Sequence, residues 1–378
     1  MNTKGRVATT LLAARGVRLW RLTLAATLVA LVALIQPAQG VAPGANGLIA
    51  CEGFRDGDFE VYVMNPDGSG VRYLTDNAVR DGDPAWSPDG RKISFESFRD
   101  GGSEAYVMNA DGSEVTRLTF APGEDRGTSW SPDGSEIVFH STRQGPPGGP
   151  HPPGNFEIFV MNADGSDQTN ITNSPAFEAQ PDWSPDVTWS PDGSRIAFNS
   201  QRDTPSGQPS NFEIYTIKPD GSDLKRLTDS PGEDSGPVWS PDARQIAFQS
   251  RRDGNLDIYR MNADGSGVTQ LTFTEPPTFN AFSAWSPDGT KIAFTSTRDS
   301  APGTFEFEVY VMNAADGSDV TRLTNMPGFD GRCYWQRATP TNKDECKNEG
   351  WQRFNSPRFE RFKNQGACVS FVESGRPG

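Results

Sequence analysis

The chain has 378 residues, 39 of them Gly and 30 Pro, with 34% hydrophobic and 22% charged residues and a formal charge of −14. So many turn-forming residues without a collagen-like period imply short elements joined by tight turns, which excludes long helices, coiled coils and multi-pass membrane folds. An acidic chain with no basic stripe to neutralise phosphates is not a nonspecific nucleic-acid binder.

Residues 1–40 differ from the rest. They lack Asp and Glu, carry Lys4, Arg6, Arg15, Arg18 and Arg21, and continue into an apolar run from Leu22 to Ile35. With small residues at Ala38 and Gly40, this reads as a secretory signal peptide over 1–40, too short for a membrane span. The expectation is export, to the periplasm, cell envelope or medium, with no integral span after cleavage. The mature chain would keep 30 basic against 49 acidic residues.

Beyond the signal the sequence repeats. Trp-Ser-Pro-Asp occurs at Trp86, Trp130, Trp183, Trp189, Trp239 and Trp285, and a degenerate copy ends the series at Trp335. With Trp183 set aside as a local duplication, six copies remain, 44 to 59 residues apart. After Trp comes an apolar run (Ile93-Ser94-Phe95, Ile246-Ala247-Phe248), then Ser/Thr-x-Arg-Asp, then a second run (Tyr106-Val107-Met108, Ile258-Tyr259). A turn of the Asn-Ala-Asp-Gly-Ser type leads to a short run ending Leu-Thr, which makes four short strands per repeat. Pro88-Asp89-Gly90 suits a type I turn with Gly in the left-handed position, and Asp111-Gly112 does the same for the second hairpin. Ala243 stands where the other copies have Gly, at a cost of about 1 kcal/mol if its φ is positive.

The ends complete one another. Residues 47–75 supply the second, third and fourth strands of a repeat without a Trp strand, and residues 329–336 supply a Trp strand without a successor. The reading is an all-β, six-bladed β-propeller of four-stranded blades over 41–336, its ring closed by N- and C-terminal strands sharing one blade, followed by a small Cys-containing tail over 337–378. Without that closure the ring would expose two edges.

Repeats of the form Trp-Ser-Pro-Asp-Gly, Ile-Ala-Phe, Arg-Asp-Gly, Ile-Tyr-Val-Met-Asn-x-Asp-Gly-Ser and Leu-Thr resemble the WD-like repeats of TolB-type six-bladed propellers over about residues 47–336. The resemblance implies the fold, without the N-terminal α/β domain of TolB itself, and a role in engaging protein partners.

The four cysteines allow three pairings. Cys51 replaces the Phe of the apolar run, and Cys333 precedes Trp335 on the facing strand of the same blade, which favours a Cys51–Cys333 clasp. Cys346 and Cys368 would then pair in the tail. That tail, with Cys346-Lys347-Asn348 and Phe362-Lys363-Asn364-Gln365-Gly366, resembles a short motif carried by various exported bacterial proteins.

Signals for chemistry are few. His140 and His151 are the only histidines and cannot build a His-rich metal site. His140 reads as a strand residue and His151 as part of a Gly/Pro-rich loop. No Gly-x-Ser-x-Gly elbow occurs. Asn162–Asp167 resembles part of a calcium loop, but the bidentate Glu is missing and the segment recurs, so it reads as a hairpin turn. The recurring Arg-Asp pairs read as structural. No cofactor is expected, with calcium the one cation considered.

The second-to-third-strand loops vary, being expanded at Gln144–Asn155, Thr204–Asn211 and Ser300–Phe305. On the same face lie acidic connectors with Asp81, Asp83, Glu124, Asp125, Glu178, Asp182, Glu233, Asp234 and Asp330. Variable loops on an even scaffold are where binding specificity is placed. The function expected is a monomeric, noncatalytic binding scaffold for a protein or cell-envelope partner. The alternative is a carbohydrate-active lyase or hydrolase with paired carboxylates at the channel mouth.

Overall fold

A computed structural model of the chain describes residues 46–143, 155–174, 187–205, 211–301 and 303–338, with a few isolated positions outside them. Residues 1–45, where the signal peptide is expected, most of the tail and the loop around His151 lie outside the described residues. Among the described residues, twenty-four strands form six four-stranded sheets.

Blade I is the shared one, with Asp330–Arg337 paired to Asn46–Arg55, then Asp58–Met64 and Arg72–Tyr73. Blade II runs Asp81–Trp86, Lys92–Ser97, Glu104–Asn109 and Thr116–Arg117, all antiparallel. Blades III to VI follow the same order, with Trp strands Asp125–Trp130, Val187–Trp189, Asp234–Trp239 and Asn280–Trp285. The Trp strands of neighbouring blades touch all the way round, so they line the axis. The two-residue fourth strands form the exposed outer edge, too short to template further pairing.

Strand alternation decides how blades meet. Ile137 and Phe139 point back to blade II, where they pack with Trp130 and Met161 against Ala85, Ala105, Val107 and Leu118. Val138, one residue out of phase, points forward and meets Trp189, Ile196 and Phe198 of blade IV. Each sheet is therefore apolar on both faces, large on one and smaller on the other, and each buried large side chain contributes about 1.5–3 kcal/mol. The Asp-Gly turns serve the same interface. Gly165, at φ 87°, sits so close to blade II that a Cβ would lie 2.6 Å from the Leu118 carbonyl oxygen.

In blade I, Cys51 occupies the Phe position facing blade VI and is bonded to Cys333, 282 positions along the chain, with Cα atoms 4.1 Å apart. The expected clasp is borne out. Cys368 is buried and disulfide-bonded, while Cys346 lies outside the described residues.

Closing so long a loop restricts the unfolded chain strongly. Cys51→Ala with Cys333→Ala should lose about 4–5 kcal/mol in urea unfolding, with hydrogen exchange accelerating first in blade I. Ala243 takes φ 58° where the equivalent Gly90 has φ 68°. Ala243→Gly should raise stability by about 0.5–1 kcal/mol, and an unchanged or lower urea midpoint would refute that strain.

Candidate functional site

The Arg-Asp repeat resolves into two contacts made in nearly every blade. The Arg guanidinium lies over the aromatic pair of its own sheet, as Arg99 does 5.4 Å from the Phe95 and 5.0 Å from the Tyr106 ring centres. Its Nε donates to the Ser ending the second strand, and its terminal nitrogen meets a carboxylate at the start of the Trp strand. The pairs are Arg99–Asp81 at 2.8 Å, Arg143–Asp125, Arg202–Glu178, Arg252–Asp234 at 2.6 Å and Arg55–Asp330 at 2.8 Å. The Asp of the motif instead accepts from the Tyr hydroxyl, as Asp253 does from Tyr259 at 2.6 Å. Blade VI departs, because Asn280 replaces the carboxylate. Its amide accepts from Arg298 at 2.9 Å and donates to Asp257 at 2.8 Å.

Four of the expected binding acids, Asp81, Asp125, Asp234 and Asp330, are thus buried members of this girdle. Glu124 and Glu233 are half-buried on the loop face beside Arg126 and Arg251. Asp182 lies outside the described residues. The Asn162–Asp167 turn closes on itself, with Asp164 accepting from the Ser166 N–H and hydroxyl and Asn162 donating to Asp167. Among the described residues no group of three or more His, Cys, Asp or Glu is placed to share a metal.

Asp83 leads to a different constellation. Among the described residues, the Trp strands of blades I, II, III, V and VI carry a bulge about three residues before the Trp, marked by register slips such as that between Gly82 and Ala85. Blades III and V place Gly127 and Gly236 there at positive φ. Blades VI, I and II place Phe282, Arg332 and Asp83 there, at φ 54°, 46° and 47°, each at a steric cost that Gly would avoid. These three side chains meet at the axis. Arg332 lies 5.2 Å from the Phe282 ring centre and 3.3 Å from Asp83 Oδ1.

A second varying position surrounds them, the residue after the Phe of the second strand: Glu52, Glu96, His140, Asn199, Gln249 and Thr295, all buried. Gln249 Oε1 accepts from the Phe282 N–H at 3.0 Å, and Glu52 Oε2 from the Asp83 N–H at 3.1 Å, so this residue caps the neighbouring blade's bulge. In blades I to III the position is ionisable. Glu52 lies 3.4 Å from Arg332 and 3.3 Å from Arg80, and Arg80 Nε bonds Glu96 at 2.9 Å. Three carboxylates therefore converge at the mouth, each closed upon by a guanidinium.

Burial raises the pKa of Glu52, against Arg332 and Arg80, and burial with the nearby Asp83 raises that of Glu96. Burial lowers that of His140 to about 3, so this imidazole is neutral at physiological pH. Comparing repeats column by column would have found these residues, because a polar column running Glu, Glu, His, Asn, Gln, Thr inside a core strand is visible once the copies are aligned.

Beside the mouth lies an aromatic sector. Phe59 packs 5.3 Å from Phe54 and 5.5 Å from Phe329, Phe307 packs 5.3 Å from Phe329, and Phe279 packs 6.3 Å from Phe305. Phe305 is 60% and Phe54 40% exposed. Arg80 lies 4.7 Å from the Phe59 ring centre, at the seam between the aromatic and ionised halves.

Asp330 gives the girdle a pH signature. Burial raises its pKa to about 6, more than Arg55 lowers it. A carboxyl raised on folding holds more protons folded than unfolded between about pH 4 and 6, so its contribution to stability falls as pH rises through that window. Asp330→Asn should flatten this part of the profile by about 2 kcal/mol in urea unfolding at pH 4 to 7. An unchanged slope would exclude the raised pKa.

Comparison with known proteins agrees with the propeller fold. The chain is 36% identical over 75 residues to an uncharacterized protein of Agrobacterium fabrum, covering 20% of this chain and 22% of that relative. It superposes on TolB from Acinetobacter baumannii with TM-score 0.61 and 22% identity, over 76% of this chain and 66% of that one. Hydrazine synthase of Kuenenia stuttgartiensis gives TM-score 0.60 at 15% identity, over 82% and 52% of the two chains, a likeness of fold alone. The chain spans less than two thirds of each of these proteins. The profile of the TolB beta propeller domain matches residues 23–147 and 187–300, and the chain belongs to that family.

Proposed function

We propose that this protein is an exported, noncatalytic binding scaffold that takes a protein or cell-envelope partner on its loop face. The observation that carries the reading is the partly exposed phenylalanine sector at blades VI and I, with Phe54 and Phe305 exposed, set against the arginine-rich mouth of blades I to III. Partly exposed aromatic rings beside arginines are the composition of interface hot spots, and a soluble surface ordinarily covers such a patch. The likeness to TolB supports a partner-binding role. The Cys51–Cys333 bridge supports export, since disulfides persist in oxidising compartments.

The carbohydrate-enzyme alternative asks for a carboxylic acid that reaches the substrate. Glu52, Asp83 and Glu96 converge, but they are 1%, 5% and 2% exposed and held by arginines. Acid–base chemistry there would first have to part buried ion pairs, which is costly.

Envelope and secreted extract passed over the immobilised form beginning at Val41 should leave a specific protein bound. Phe54→Asp with Phe305→Asp should release it with affinity reduced at least tenfold, while thermal unfolding stays within about 1 °C because both rings are exposed. Equal retention on the double variant would overturn the assignment of the face. Polysaccharide cleavage abolished by Glu52→Gln or Glu96→Gln would establish the alternative.

A further inference from the structure

The opposite end of the channel, where the Ser-Pro-Asp turns lie, carries an asymmetry of its own. The six tryptophans ring this mouth, and behind five of them stands the proline of Ser-Pro-Asp. In blade I the Ser-Pro pair is Gln336-Arg337. Gln336 ties the blades together, donating from Nε2 to the Gly90 carbonyl at 2.9 Å. Arg337 takes the place of the sixth proline and lines the cavity of about 230 Å³ at the mouth. It also lines a groove of about 720 Å³ that passes Pro88, Pro132 and Leu118 between blades II and III.

Among the described residues Arg337 makes no ion pair, its Nε is buried without a hydrogen bond, and burial alone lowers its pKa. The carboxylates along the groove are occupied by their own turns. Asp89 accepts from the Ser87 hydroxyl at 2.7 Å, Asp133 from that of Ser131 at 2.7 Å and Asp164 from that of Ser166 at 2.6 Å. At the mouth itself Arg337 is set among indoles and prolines with no carboxylate in the lining, and a cation so placed is costly unless an anion joins it. Of the six indoles, the Trp285 Nε1–H is directed at the Val238 carbonyl of the preceding blade, 3.2 Å away, while those of Trp86, Trp130, Trp189, Trp239 and Trp335 are buried without a hydrogen-bond partner among the described residues.

We propose that this mouth binds an organic anion, a carboxylate or sulfonate carried on a flat apolar body, with Arg337 as counter-charge and the indole rings as walls. A bare inorganic anion would exchange its hydration shell for one guanidinium, whereas an aryl anion also buries apolar surface against tryptophan. The site is at the far end of the channel from the loop face and stands independently of the binding role proposed there.

Calorimetric titration of the full chain with 1-naphthalenesulfonate, beside the uncharged 1-naphthalenemethanol, tests the assignment. Wild type should bind the sulfonate saturably at one site and the alcohol at least tenfold more weakly. Arg337→Met should weaken the sulfonate at least tenfold and leave the alcohol unchanged, and Arg337→Lys should restore part of the difference. Absent saturable binding, an alcohol equal to the sulfonate, or an Arg337→Met variant that binds the sulfonate like wild type would each overturn it. Should the Met variant fail to fold, the sulfonate–alcohol comparison in wild type and the Lys variant decide.

Discussion

No sheet of this protein can cover its own apolar faces. Phe139 and Trp130 need the small residues of blade II in front of them, and Val138 needs Trp189 behind. Stability therefore passes from neighbour to neighbour, and the chain is stable only when the last sheet meets the first. The shared blade is the consequence of that constraint. Its Trp strand comes from one end of the chain and its three other strands from the opposite end, joined through Cys51–Cys333 where the other blades have a Phe.

A second layer of order lies at the loop ends of the sheets. Guanidinium, aromatic pair, serine and carboxylate recur so regularly that they must be scaffold, and their buried charges are held by pairing and hydrogen bonding together. Where blade VI replaces the carboxylate with Asn280, the amide bridges Arg298 and Asp257 in one step, and a carboxylate there would face Asp257 instead. The girdle tolerates a neutral member because an amide can both donate and accept.

Against so regular a frame, the departures carry the information about function. At the loop face the bulge residue is Gly in blades III and V but Phe282, Arg332 and Asp83 in three consecutive blades, each accepting backbone strain to place a side chain at the axis. At the turn face the departure is one residue, Arg337 in place of proline. Both ends of the channel are thus differentiated by substitutions the fold does not require.

The repeat itself was legible. Six Trp copies, the Pro-Asp-Gly and Asn-Ala-Asp-Gly turns and the complementary ends determine a closed six-bladed ring, because strand alternation and turn chemistry are local. Even the Cys51–Cys333 pair follows from register within one blade. The acidic connectors were legible as residues but not as a site. Whether Asp81 or Asp234 faces water or a buried arginine depends on a partner 18 residues along the chain and on the sheet that brings the two together. The mouth lay further out of reach, since Asp83, Arg332, Phe282 and Glu52 come from three blades and are neighbours only because the ring closes. Sequence alone determined the blade, its number and its clasp through short-range patterns. Tertiary structure alone decided which charges are buried in pairs and which side chains meet on the axis, because those contacts span the whole circumference.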